Sequence, residues 1–437
     1  MRKLRMDLGV VALTLAFLQL NFQLVLYSAL GLSVQDGASH PLLLVWVVAP
    51  MLFLGVALVR LAATRRLTSV TELAALALLL VCSVHAVFIS ASHGLNSGAF
   101  AFLTWATWIG VFLYLSRDMS KDWPKLVMSL LILGGILNAV PIIYESITGT
   151  ALFKTATIAD VTRRYGINQS ISLVGLQLAL GIIATCYYVM KDYKKILPIL
   201  ILVIQITGLI LSASRGPLIY MSISLVAIAT FLPKSPNRRV LVIFTVGLFV
   251  LSTVLYLLTA RVSLAGDDQL GFVLSALTIS DAGNSERLAY FAYAFDMWTA
   301  SAWTLIAGYG SGLLSLLAVR SGGVELGAES SAIKVLLELG VLGALPFYIV
   351  VATTFRRGIQ LWRSRVDDRL PYIMGAFIVI VLQLTFHETL KAWVGAMYFW
   401  MLAAAILHVG RASRRVPQSR PPFTRRARAG LHGASAR

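Results

Sequence analysis

AESSAIKVLLELGVLG, residues 328–343, is the stretch on which the reading of this chain turns. It puts a carboxylate at the entrance of an otherwise apolar run. In a continuous helix Glu329, Ile333, Leu336, Gly340 and Gly343 fall close to one stripe, the spacing of a single helix face. The expectation is an uninterrupted membrane helix whose first turn carries a carboxylate above a packing groove. Immediately before it, Arg261 to Ala328 is the longest polar segment between apolar runs, with room for a sizeable structure outside the membrane.

The rest of the chain agrees with a membrane setting. Of 437 residues 58% are hydrophobic and only 13% are charged, where a soluble domain is about a quarter charged. A soluble globule is thereby excluded. Apolar runs near the roughly twenty residues that cross a bilayer as a helix occur at 8–32, 41–64, 71–92, 98–116, 125–148, 170–190, 194–213, 216–233, 239–260, 331–354, 371–387 and 391–410. The predicted fold class is an all-α polytopic membrane protein of about 12 transmembrane helices, with one large periplasmic loop region between spans 9 and 10. The segment 288–308 reads as a helix lying along the interface instead of a span. Four regions follow: spans 1–9 in 1–260, the loop with short helices in 261–328, spans 10–12 in 329–410, and a basic tail in 411–437. That tail is rich in Arg, Pro and Ser and lacks apolar periodicity, so it is expected to be disordered and to meet anionic lipid headgroups, not nucleic acid. The N-terminal run is too long for a signal-peptide core and is expected to stay as the first span.

The net charge of +18 matters through its distribution among loops. With twelve spans, 28 of the 37 Lys and Arg residues fall on one side, so both termini are expected to be cytoplasmic. The cations on the other side are Lys154, Arg163, Arg164, Arg215, Arg261, Arg287, Arg320, Lys334 and Lys391. Orientation does not explain them, and they are where an anion site is to be sought.

Arg215 lies in SASRG, residues 212–216, a very short connection between two runs, at the depth of a lipid phosphate. A guanidinium stays charged and can hold two phosphate oxygens at once. The plain alternative is an Arg that snorkels and fixes the end of a span. Arg287 opens the 288–308 segment, and pairing with Asp281 or Glu286 is its alternative. Arg163 and Arg164 precede YGINQS and form a third outer pair, or else belong to a solvated loop. Glu329 is a candidate proton acceptor, with a favoured N-terminal carboxylate as the competing reading. Lys334 and Glu338, one turn apart, read first as an intrahelical ion pair, with Lys334 retained as an anion ligand because charge inside a membrane is expensive. His387 and Glu388 form a weaker acid/base suggestion. There is no P-loop, HExxH, GxSxG or Cys/His metal spacing, so neither metal nor cofactor is expected. Cys82 and Cys186 both sit within apolar runs and imply no disulfide framework.

RRYGINQS at 163–170, SASRG at 212–216, the single large loop before the tenth span and ESSAIKVLLELGVLG at 329–343 together resemble the O-antigen ligase and O-antigen polymerase superfamily. The resemblance implies a metal-independent, inverting transfer of a glycan from undecaprenyl diphosphate to an acceptor hydroxyl at the periplasmic face of the bacterial inner membrane. It assigns Arg215 and Arg287 to the diphosphate, and Glu329 to the place where ligases usually carry a histidine base. Glu in that place points to a polymerase, whose acceptor is a second lipid-linked repeat, ahead of a ligase acting on lipid A-core. A transporter for the same glycan also fits twelve spans, but it needs charges lining a central cavity in both halves, and here the unusual residues gather at the outer face.

Overall fold

The structure, a computed structural model, describes residues 8–29, 44–64, 69–153 except 119 and 121, 155–167 except 159, 160 and 165, 171–232 except 193 and 213, 282–312, 330–387 and 393–415, with positions 240 and 247 besides. Among these residues the chain is a helical membrane protein with one short β-hairpin. The helices are α1 (Leu8–Ala29), α2 (Leu44–Thr64), α3 (Val70–His93), α4 (Leu95–Arg117), α5 (Trp123–Thr148), α6 (Ile171–Lys191), α7 (Ile196–Leu211) and α8 (Arg215–Phe231). After them come α9 (Ala282–Thr299), α10 (Ala302–Ala307), α11 (Ser331–Arg363), α12 (Leu370–Phe386) and α13 (Trp393–Arg415). Strands β1 (Thr155–Ile158) and β2 (Val161–Arg164) pair antiparallel, with Thr155 opposite Arg164 and Ala156 opposite Arg163.

Among the described residues six helices are long and apolar enough to cross a membrane, namely α3, α4, α5, α6, α11 and α13. Shorter apolar helices occupy five more of the expected spans, in α1, α2, α7, α8 and α12. The expected span 239–260, apart from positions 240 and 247, and the basic tail beyond Arg415 lie outside the described residues, as does most of 261–328. The segment expected to lie along the interface is two helices instead of one, because Ser301 and Thr304 form a reciprocal capping box that starts a new helix at Ala302.

The bundle is built around α13. Every residue from Val394 to Gly410 is buried, the pattern of a helix that is apolar all round and enclosed by neighbours on every side. It packs against α4, α5, α11 and α12, and aromatic rings fill the contacts: Phe112 lies 5.3 Å from Trp400, and Phe347 5.4 Å from Phe399. Polar side chains tie the helices where apolar packing alone has no directionality. Gln177 on α6 donates to Asn21 on α1 at 2.8 Å and accepts from Asn138 on α5, while Gln205 on α7 accepts from Thr185 on α6 at 2.8 Å and donates to the Ile132 carbonyl at 3.0 Å.

One end of the bundle is an ion-pair network. Glu72 at the start of α3 is fully buried and meets Arg117 at the end of α4 and Arg411 at the end of α13, each at 2.6 Å. Arg369, capping α12, joins Asp122 before α5 at 2.6 Å and Asp367 at 2.7 Å. Removing either partner of such a pair would strand a charge. The ends that meet here belong to helices of alternating direction, as repeated crossings of a bilayer require.

Candidate functional site

At the opposite end, three elements converge on His387. The carbonyl of His387, just past α12, accepts hydrogen bonds from the Ser331 N–H and the Ser331 hydroxyl, both at 3.1 Å. Ser330 caps α11 by accepting from the Ile333 N–H at 3.4 Å. The start of α11 is therefore docked on the end of α12. The His387 ring in turn faces α8: a Cβ on Gly216 would stand 3.0 Å from Nε2, and Tyr220 meets the ring edge-on at 6.3 Å. A side chain at 216 would require the imidazole to give way by a few tenths of an ångström.

The SASRG turn is held just as tightly from behind. A Cβ on Gly175 would lie 2.5 Å from the Ser214 Cβ and 2.7 Å from the Pro217 ring, so α6 presses directly on the first turn of α8. Arg215 occupies the first helical position of α8, Ser214 makes no side-chain cap there, and Pro217 has no N–H to offer. Gln383 on α12 donates to the Ser172 carbonyl at 3.3 Å and fixes α6, α8 and α12 as one unit at this end.

The turn after the hairpin packs on α5 and α6. Gly166, at φ +57, is buried, and a side chain there would run into Asn138 and Val174. Positions 163 and 164 are successive in β2 and so lie on opposite faces of the hairpin; the Arg164 side chain is half-buried. The sequence reading passed over Glu145, a buried carboxylate in the last turn of α5, whose Oε1 accepts from the Leu152 and Phe153 N–H groups at 2.8 Å each. The signal was its charge at the end of an apolar run, and its role is to fold the chain back toward the hairpin.

The helix that opens the tenth span differs from expectation. Gly340 adopts φ 56, ψ −166, which is not helical, so Ser331–Leu339 is a half-helix followed by a long helix from Val341 to Arg363. The single stripe through Glu329, Ile333, Leu336, Gly340 and Gly343 is therefore interrupted at its fourth member. The break has a physical cause in α10: the Gly340 Cα sits so close to Ile306 and Gly308 that a Cβ would be 2.3 Å from the Ile306 carbonyl oxygen and 2.5 Å from the Gly308 nitrogen. The carbonyls that the break frees are taken up by the loop, with Tyr309 N–H donating to Leu337 at 2.8 Å and Gly310 N–H to Glu338 at 2.9 Å.

Lys334 and Glu338 lie on this half-helix, 7% and 3% exposed, with Nζ 3.7 Å from Oε1. The pair that the spacing predicted is present. Glu329 lies outside the described residues, one position before Ser330, and the side chains of Arg163, Arg215 and Arg287 are likewise undescribed, although their backbones are placed. The structure thus brings the Arg215 turn and the turn following Glu329 to one residue, His387. It sets Lys334 one turn into the half-helix from Ser330, and it puts Arg287 on α9, which packs on α11.

Residues 200–348 match the family described as O-antigen ligase. No curated protein matches the chain. The matched stretch runs from α7 past the break in α11 and holds Arg215, Arg287, Glu329 and Lys334, while Arg163 and Arg164 precede it. Glycan transfer of the ligase and polymerase type is the chemistry this family brings, and the motifs and the match point the same way: over residues 200–348 the protein is similar to the O-antigen ligase family, which supports its place in the O-antigen ligase and polymerase superfamily.

Proposed function

We propose that the protein transfers a glycan from undecaprenyl diphosphate to an acceptor hydroxyl, as a polymerase that joins one lipid-linked repeat to another. The observation that carries this reading is the convergence of the Arg215 turn and the start of the half-helix on His387. A guanidinium at the first position of α8, next to first-turn amides without a side-chain cap, suits a diphosphate. Arg215 and Arg287, with Arg163, Arg164 and Lys334 in support, hold the diphosphate and stabilise the charge that grows on it. For Lys334 this requires a partial release from Glu338. Glu329 accepts the proton of the acceptor hydroxyl as its oxygen bonds to the anomeric carbon from the far side. The bond from that carbon to the diphosphate breaks in the same step, and undecaprenyl diphosphate leaves with the electron pair, so configuration inverts.

In this reading both termini are cytoplasmic, the ion-pair end faces the cytoplasm and the His387 end faces the periplasm of the inner membrane. Residues 261–328 then form the periplasmic loop region between the spans in 1–260 and those in 329–410, and 411–437 is a cytoplasmic tail against the lipid headgroups.

The test is a reconstituted assay with a lipid-linked repeat unit alone, and then with lipid A-core added. The expected result is a product ladder from the repeat alone, cut at least about a hundredfold in Arg215→Ala and Glu329→Gln, the loss typical of removing a transition-state donor or base. Product only when lipid A-core is present would make the protein a ligase. Normal turnover in Arg215→Ala would overturn the assignment of the diphosphate site.

A further inference from the structure

We propose that Glu338 is a positioning residue for the transfer, acting as the latch that holds the strap 308–312 on the half-helix 331–339 and so couples α9 and α10 to the site. The proposal rests on the transfer reading above for its kinetic consequence, but not for its structural one. Glu338 binds the strap through both its backbone and its side chain: its carbonyl accepts from the Gly310 N–H at 2.9 Å and its Oε2 from the Gly312 N–H at 3.0 Å. Such an acceptor is charged, and a charged acceptor makes the stronger hydrogen bond. The other carboxylate oxygen stands 3.7 Å from Lys334, one turn back toward Glu329.

The strap has its own reasons to lie where the latch keeps it. Gly308, Gly310 and Gly312 all have positive φ, so the backbone turns repeatedly in a way that side chains resist. Gly308 and Gly340 approach within a distance that leaves no room for a Cβ on either. Beyond the latch, Gly312 rests against Ala101 of α4, and the Tyr309 hydroxyl donates to the Met297 carbonyl on α9 at 3.1 Å. One carboxylate therefore joins three parts: the half-helix that follows Glu329, the strap, and through Tyr309 the helix that carries Arg287. With the latch open, the groups on α9 and on the half-helix lose their common frame while each element keeps its own fold. Misplacement of that kind lowers the rate of the bound complex more than it weakens binding.

Glu338→Ala removes the side-chain acceptor, whereas Glu338→Gln keeps an oxygen in its place. Hydrogen exchange of the Tyr309–Gly312 amides in lipid nanodiscs reads the strap directly, with exchange along α13 as the control for global folding. In Glu338→Ala the strap should exchange about tenfold faster, and kcat should fall about tenfold with KM little changed, as the loss of one charged hydrogen bond implies. In Glu338→Gln, whose neutral oxygen is the weaker acceptor, the exchange should fall between wild type and Glu338→Ala, nearer wild type, and most of kcat should return. Unchanged exchange in Glu338→Ala would overturn the latch. Faster exchange with unaltered kcat would overturn the positioning role, and so would a Gln variant as impaired as Ala, because then the charge beside Lys334 is what matters. Absence of transfer in the wild type would sink the functional reading and with it the positioning role, while exchange still decides whether the latch exists.

Discussion

Gly340 shows how much a single residue decides in this protein. At φ 56, ψ −166 it occupies a region open in practice only to glycine, and the Ile306 carbonyl fills the place where its Cβ would go. Gly340→Ala should therefore cost about 1–3 kcal/mol from the backbone alone, with the steric clash in addition. Thermal unfolding in detergent should show a lowered midpoint, and a variant as stable as wild type would mean that the helix can run straight through this position. Gly175 is required on steric grounds at the SASRG turn, where α6 presses on Ser214 and Pro217, while Gly216 gives the His387 ring close approach from the other side. The sequence shows glycines at these places; it does not show what they admit.

At the level of elements, the ion-pair end depends on the connections 118–122 and 364–369, which tie α4 and α5 to α11 and α12. Burial alone would raise the Asp367 carboxyl, but the hydrogen bonds from the Arg369 side chain and backbone outweigh it and hold the group below its ordinary value of 3.8. The Arg369 guanidinium is correspondingly held above its own ordinary value, first by Asp367. For a lowered carboxyl the stabilisation is complete above the unfolded-state value and is lost as pH falls through the lower, folded-state value. Thermal midpoints measured from pH 7 downward should thus hold until below about 4 and then drop. Arg369→Gln should cost about 2 kcal/mol at pH 7, the worth of charged hydrogen bonds, and should lose most of that acid limb. An acid limb identical in wild type and Arg369→Gln would show that the pair contributes nothing to stability.

For the molecule as a whole, the alternation of helices puts residue 150 and residue 192 at opposite ends of the bundle, past the end of α5 and past the end of α6. Cysteines introduced as Thr150→Cys and Asp192→Cys, with Cys82 and Cys186 buried in the bundle, should react differently with a membrane-impermeant maleimide. Position 150 should label once the outer membrane is opened, and position 192 only after the inner membrane is lysed. The reverse pattern would invert the proposed orientation, and equal labelling would contradict the crossing of α6.

Composition, the length of the apolar runs and the placement of Lys and Arg were enough to read a polytopic helical membrane protein, because each span must satisfy its own backbone within one contiguous stretch of chain. The Lys334–Glu338 pair was legible for the same reason, since i, i+4 neighbours are set by helix geometry alone. The motifs at 212–216 and 329–343 were legible as motifs, and the family match covers both. What the chain order hides is whatever joins distant segments. The break at Gly340 is imposed by α10, more than thirty residues earlier in the chain; the dock of Ser331 on His387 joins positions 56 apart; and the Gly312–Glu338 bond spans 26. Local periodicity continues a helix wherever the residues allow one. Whether a neighbour's backbone already occupies that space is a property of packing, and it appears only when the chain is folded.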